Sequence, residues 1–211
     1  MAASTLSSED ARSAHIRAGR TIEYLSIAWT SLEAAVGVTA GLLAGSIALT
    51  GFGIDSVIEL ASSTVLVWRL SSHPRAEERE KFAHRLVGMG FLMLAAYISV
   101  TALYDLIFRD TPGPSYVGVA YAAACIIVMP LLARAKRRIA TQIGSDALHA
   151  DSHQSDICAY LSVILIIGLA LNAILGWWWA DPVAALCMVP IIIKEGIAGL
   201  RNEACSHDHA A

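Results

Sequence analysis

The stretch Gly51-Phe52-Gly53-Ile54-Asp55-Ser56-Val57-Ile58-Glu59 decides how this chain is read. It lies inside an apolar run from about Ile22 to Leu70. Asp55 and Glu59 have i, i+4 spacing, so a helix places both carboxylates on one face, one turn apart. A carboxylate at the centre of a membrane helix costs at least ~2.5–3.5 kcal/mol. Two on the same face cost more, because their charges repel. Such a pair persists where a bound cation, protons or a basic neighbour offsets the cost. Counted from the helix start near Ile47 at ~1.5 Å per residue, Asp55 lies about 12 Å deep and Glu59 one turn deeper.

The rest of the chain supplies the membrane that this argument needs. Of 211 residues, 56% are hydrophobic and 16% charged, and the mean hydropathy is +0.57. Soluble domains carry about 25% charged residues. Segments of ~20 apolar residues, each long enough to cross about 30 Å of hydrocarbon, divide the sequence better than soluble domains do. Six are expected: residues 23–43, 47–70, 82–108, 116–135, 149–175 and 180–200. Thr111-Pro112-Gly113-Pro114 is a break between the third and fourth. The expected fold class is an all-α membrane protein of six transmembrane helices. Its expected parts are an N-terminal segment (1–21), the membrane domain (22–200) and a tail (201–211).

Charge then sets the orientation. All of the 15 basic residues except Arg109 fall on one side of this six-span arrangement. The side rich in Lys and Arg faces the cytoplasm, so both termini are expected there. Residues 1–20 lack the apolar core of a signal peptide. The basic loops suit anionic lipid, and no nucleic-acid partner is indicated. The cysteines at 125, 158, 187 and 205 are scattered, three of them inside expected helices, which argues against a disulfide framework. Neither a catalytic Ser/His/Asp or Cys/His arrangement nor a phosphate-binding Gly-rich loop is present, so an enzyme is not expected.

The fifth span opens His149-Ala150-Asp151-Ser152-His153-Gln154-Ser155-Asp156 before becoming apolar. Asp156 is expected about 10–15 Å deep, level with Asp55 and Glu59. His149, His153 and Asp156 share an i, i+4, i+7 stripe. Asp151 lies off it, toward a water-filled mouth. Carboxylates with imidazoles form a divalent-cation site by ligand type. Carboxylates alone favour Mn²⁺ or Mg²⁺, and an added His shifts the preference toward Zn²⁺, Fe²⁺, Co²⁺ or Ni²⁺. The same groups titrate, so metal binding should release protons.

Several of these pieces resemble the cation diffusion facilitator family. Gly45-Ser46-Ile47-Ala48-Leu49 followed by Asp55-Ser56 and Glu59 is similar to its second span. His153-Gln154-Ser155-Asp156 resembles its fifth-span site, and Trp179-Ala180-Asp181-Pro182 the start of its sixth span. The resemblance covers residues 22–200. It implies a homodimer that exports divalent metal from the cytoplasm against protons by alternating access. Its four-ligand site, carried over, falls on Asp55, Glu59, Ser152 and Asp156. Glu59 and Ser152 depart from the residues usual there, and His153, His149 or Asp151 could stand in for Ser152. The family's usual cytoplasmic metal-binding domain is not seen. The run Gly176-Trp177-Trp178-Trp179 resembles a short branch with the membrane part alone.

The expected function is therefore export of a divalent metal, Zn²⁺ or an Fe/Co/Mn-like ion, by proton exchange across a bacterial inner (plasma) membrane. Asp55, Glu59 and Asp156 are the expected primary ligands, with His153, Ser152, Asp151 and His149 behind them. The metal is cargo, and no organic cofactor is implied. The alternative is a non-transporting metal sensor or accessory subunit. Three further expectations concern single residues. Asp181 should N-cap the sixth helix with Pro182 at its first position. Asn172 should bond to a neighbouring helix. Glu33 should line the cytoplasmic vestibule or pair with a buried base. The Cys205/His207/His209 tail has metal-ligand types but is expected to be disordered.

Overall fold

A computed structural model describes the backbone of residues 2–71 and 77–201, and the side chains of 17–67, 85–145 and 148–201. The Cys205/His207/His209 tail and Arg75 of the second loop lie outside the described residues. The chain forms α1 (Ala2–Ala44), α2 (Ile47–Ser71), α3 (Glu77–Phe108), α4 (Tyr116–Ile143), α5 (Asp146–Leu175) and α6 (Ala180–Arg201). Each contains a stretch long and apolar enough to cross a membrane.

Side chains are distributed unlike those of a soluble protein. Leu43, Val100, Ile107, Ile127 and Ile174 point outward, whereas Glu23, Glu33, Asp55, Glu59, Lys136, Asp151 and Asp181 are buried. Water would penalise both halves of that pattern. Lipid outside and a polar interior satisfy it.

Three helix pairs pack most extensively: α1 with α2, α3 with α6, and α4 with α5. Small residues allow the first two to close. A Cβ on Gly53 would lie 2.3 Å from the Val38 amide nitrogen and 2.6 Å from the Gly37 carbonyl carbon. A Cβ on Gly88 would lie 2.7 Å from the Gly196 carbonyl oxygen. Backbone-to-backbone contact of this kind is how helices associate in lipid, where apolar burial supplies little. The central core joins Phe52, Ile98, Met129, Leu161, Leu165 and Met188. A smaller cluster of Leu66, Ala140 and Leu148 closes the end that carries the α4–α5 turn.

One helix boundary and one cap differ from the sequence expectation in ways that matter for the site. α4 runs to Ile143 rather than 135. Its basic run resembles a loop, but Ala133, Lys136 and Ala140 form a buried stripe at i, i+3, i+7 that keeps the helix going. Gly144, with φ 63, then ends it in the left-handed region that suits a residue without Cβ. At the other end of the bundle, α6 starts at Ala180, so Asp181 is already inside it. Its carboxylate caps α2 instead of its own helix. It accepts from the Ser46 hydroxyl at 2.5 Å and from the amides of Ile47 at 2.9 Å and Ala48 at 3.3 Å. Asn172 Nδ2 donates to the Pro112 carbonyl at 3.1 Å, tying α5 to the break between α3 and α4.

Candidate metal centre

α2 carries Asp55 and Glu59 into the interior, where they are only 6% and 2% exposed. α1 brings Glu33 to the same region, fully buried. The Glu33 carboxylate accepts the Trp29 indole N–H at 2.7 Å and the Cys125 thiol at 2.9 Å, both on Oε1. Glu59 Oε1 accepts the Ser155 hydroxyl at 3.4 Å. The second oxygens, Glu33 Oε2 and Glu59 Oε2, are buried without a hydrogen-bond partner. Cys158 of α5 completes a cluster in which one ligand atom from each of Glu33, Glu59 and Cys158 lies within 4.8 Å of the others. Among the described residues this is the one such group of three acids, cysteines or histidines. Asp55 stands beside it, within electrostatic reach of Glu59, Glu33 and Glu195.

The fifth helix presents its polar start differently from the expected stripe. Its buried face runs through Leu148, Asp151, Ser152, Ser155, Cys158, Leu161 and Leu165. Asp156 is about 100° away from Ser155 around the helix and is half-buried. Its carboxylate is ion-paired with Arg137 of α4, with the two side chains 31% and 43% exposed. The structure therefore does not gather Asp156 with Asp55 and Glu59 into one three-ligand group. His149 and His153 are exposed, and His153 lies toward Glu195 of α6. Ser152 is buried, but its hydroxyl donates to the His149 carbonyl at 2.6 Å.

Asp151 was expected to face a water-filled mouth, and here the structure corrects the sequence reading. It is buried and ion-paired with Lys136, whose ammonium is itself fully buried. That ammonium also donates to the Ser155 hydroxyl at 3.2 Å and lies 4.0 Å from Glu23 Oε1. Ser63 of α2 donates to Asp151 Oδ1 at 3.3 Å. Four helices thus meet on one resident cation at the end of the bundle near the α4–α5 turn. A buried lysine requires such partners.

Sequence reasoning missed Lys136 and the thiols. Lys136 falls just past the expected end of the fourth span at residue 135, and only its i, i+3, i+7 spacing with Ala133 and Ala140 marks it as part of a helix face. Cys158 lies three residues beyond Ser155, on the same helix face. Glu33, expected to line a vestibule or pair with a buried base, is instead hydrogen-bonded by the Trp29 indole and the Cys125 thiol.

The geometry defines a class: a polytopic membrane protein whose bundle interior holds acids and thiols able to bind a cation. Comparison with known proteins gives the family. The cation efflux transmembrane domain matches residues 24–204, and the chain belongs to that family. It is 28% identical over 179 residues to an uncharacterized transporter of Synechocystis sp., covering 81% of this chain and 58% of that protein. It is 26% identical over 183 residues to transmembrane protein 163 of Xenopus laevis, covering 83% and 64%. An uncharacterized transporter of Methanocaldococcus jannaschii is 24% identical over 179 residues, covering 81% and 63%. The chain therefore spans about three fifths of the length of these relatives.

Proposed function

We propose that the chain is a divalent metal cation transporter that exports metal from the cytoplasm in exchange for protons. The observation that carries this reading is the burial of Asp55 and Glu59, with Glu33 beside them, inside six lipid-length helices. Unneutralised acids at that depth are costly, and a divalent ion alternating with protons offsets the cost. Membership of the cation efflux family and two relatives named as transporters support it.

Asp55 and Glu59 form the core of the transported-ion site. Asp156 joins them when its carboxylate leaves Arg137. Ser152, His153, Asp151 and His149 are the remaining ligands available at that end of α5. The asymmetry of basic residues supports cytoplasmic termini. The carboxylate and imidazole types suit Zn²⁺ or an Fe/Co/Mn-like ion. A homodimer in a bacterial inner membrane is the assembly and location we assign.

Flux into proteoliposomes carrying a metal-sensitive dye and a pH-sensitive dye tests this. Metal movement with opposite proton movement is expected in the wild type, abolished in Asp55→Ala and strongly reduced in Asp156→Ala. Unchanged flux in both variants would remove the proposed site. Tight metal binding without flux in the wild type would point instead to a non-transporting sensor or accessory subunit.

A further inference from the structure

Glu33 and Cys158 fall outside the ligand set assigned above, and three observations bring them to one point with Glu59. Their ligand atoms lie within 4.8 Å of one another. One oxygen of each glutamate is buried without a partner. A second thiol, Cys125, already contacts Glu33 at 2.9 Å. Buried acids with unpaired oxygens carry a desolvation cost that hydrogen bonding leaves uncompensated.

We propose that Glu33, Glu59 and Cys158 form a thiolate-containing cation site in the middle of the bundle, next to Asp55, that selects Zn²⁺, Cd²⁺ or Co²⁺ over Mn²⁺ and Mg²⁺. This deepens the transport reading, and rests on it for the ion's route. The ligand chemistry carries the selectivity. Thiolate is a soft donor that favours zinc-like and softer ions, whereas Mg²⁺ and Mn²⁺ prefer oxygen and water. A tetrahedral Zn²⁺ with bonds of ~2.0–2.3 Å sets its ligand atoms about 3.3–3.8 Å apart. Separations up to 4.8 Å need only side-chain adjustment to close. Two glutamates and one thiolate leave a fourth position for water or Asp55. Coordination displaces the Cys158 thiol proton and any protons on the two carboxyls, all of which leave to solvent. Glu59 belongs to both this group and the Asp55/Glu59 pair, so an ion could pass from one to the other while keeping Glu59 as a common ligand. The cysteine would then set which metals are accepted, a role the acids alone cannot perform.

The test uses the full chain in nanodiscs, in a Cys187→Ser/Cys205→Ser background that leaves Cys125 and Cys158. Titration with Cd²⁺ and Co²⁺ should produce a thiolate-to-metal charge-transfer band. Cys158→Ser should abolish the Cd²⁺ band. Glu33→Gln should weaken Cd²⁺ and Zn²⁺ binding by about tenfold or more, since loss of an outer-shell partner of a ligand alone costs about 10–100-fold. Mn²⁺ binding should change little in Cys158→Ser. The parent's own spectrum decides if a variant fails to fold: no band with either metal overturns the proposal. A band that survives Cys158→Ser also overturns it. Flux in vesicles without any band removes this site and leaves the transport reading standing. A Cys158-dependent band without flux keeps the site and removes transport.

Discussion

Asp181 of α6 holds the start of α2 through Ser46: Oδ1 accepts the Ser46 hydroxyl at 2.5 Å, while Ser46 Oγ accepts the Leu49 amide at 3.1 Å. The second oxygen, Oδ2, takes the amides of Ile47 and Ala48. One buried carboxylate thus satisfies the donors that begin the helix carrying Asp55 and Glu59, at the positive end of its dipole.

Asp181→Ala should therefore lower stability by more than an ordinary cap deletion of about 0.5–2 kcal/mol, because the stranded donors are buried. Thermal unfolding in detergent, followed by tryptophan fluorescence, reads the change. A midpoint equal to the wild type would contradict the role given to this residue.

Lys136 is the cation on which Glu23, Asp151 and Ser155 converge. Lys136→Met should cost about 3–5 kcal/mol, the usual penalty for breaking a buried pair from one side. Adding Asp151→Asn should restore part of that loss, with a coupling on the order of 1–3 kcal/mol. Additive effects of the two substitutions would show that the pair does not interact as described.

Arg137 is ion-paired with Asp156, and in the proposed transport site it would compete with metal for that carboxylate. An ion pair this exposed is worth about 0.2–1 kcal/mol. Arg137→Gln should then raise Zn²⁺ affinity by up to about fivefold in calorimetric titration. The gain should vanish in Arg137→Gln/Asp156→Asn. Weaker binding in Arg137→Gln alone would mean that Asp156 does not join the ion site.

Two glycine substitutions should have opposite signs. Gly53→Ala drives a methyl into the backbone of Gly37 and Val38, and should cost about 1–3 kcal/mol or more. At Gly90 an added Cβ meets only the Ile58 side chain, Cδ1 at 3.6 Å and Cγ1 at 3.8 Å, which are ordinary contacts. Gly90→Ala should be neutral or stabilising, by up to about 1 kcal/mol from helix propensity. Unfolding midpoints that fall equally for both would show that the α1–α2 approach is not the cause.

Hydropathy and the Pro-Gly break gave all six spans, because the lipid requirement acts on each helix separately and leaves its mark locally. Residue environments were harder to read. Whether Asp156 or Ser155 faces inward depends on how α5 is rotated, and a single residue step turns a side chain by about 100°. That setting comes from packing against α2 and α4, which no single segment encodes. Lys136 was misplaced for a related reason. Its neighbours Arg134, Arg137 and Arg138 make the run look like a solvated loop, and only the spacing of Ala133 and Ala140 marks the buried side. Asp181-Pro182 resembled a self-capping helix start, whereas the carboxylate serves a helix more than a hundred residues earlier.

Glu33 and Glu59 ride on α1 and α2, whose backbones touch at Gly37 and Gly53. Cys158 rides on α5, which packs chiefly against α4. An ion held by all three would add a further tie between these helix pairs, beside the Lys136 and Asp151 contacts that already bridge them.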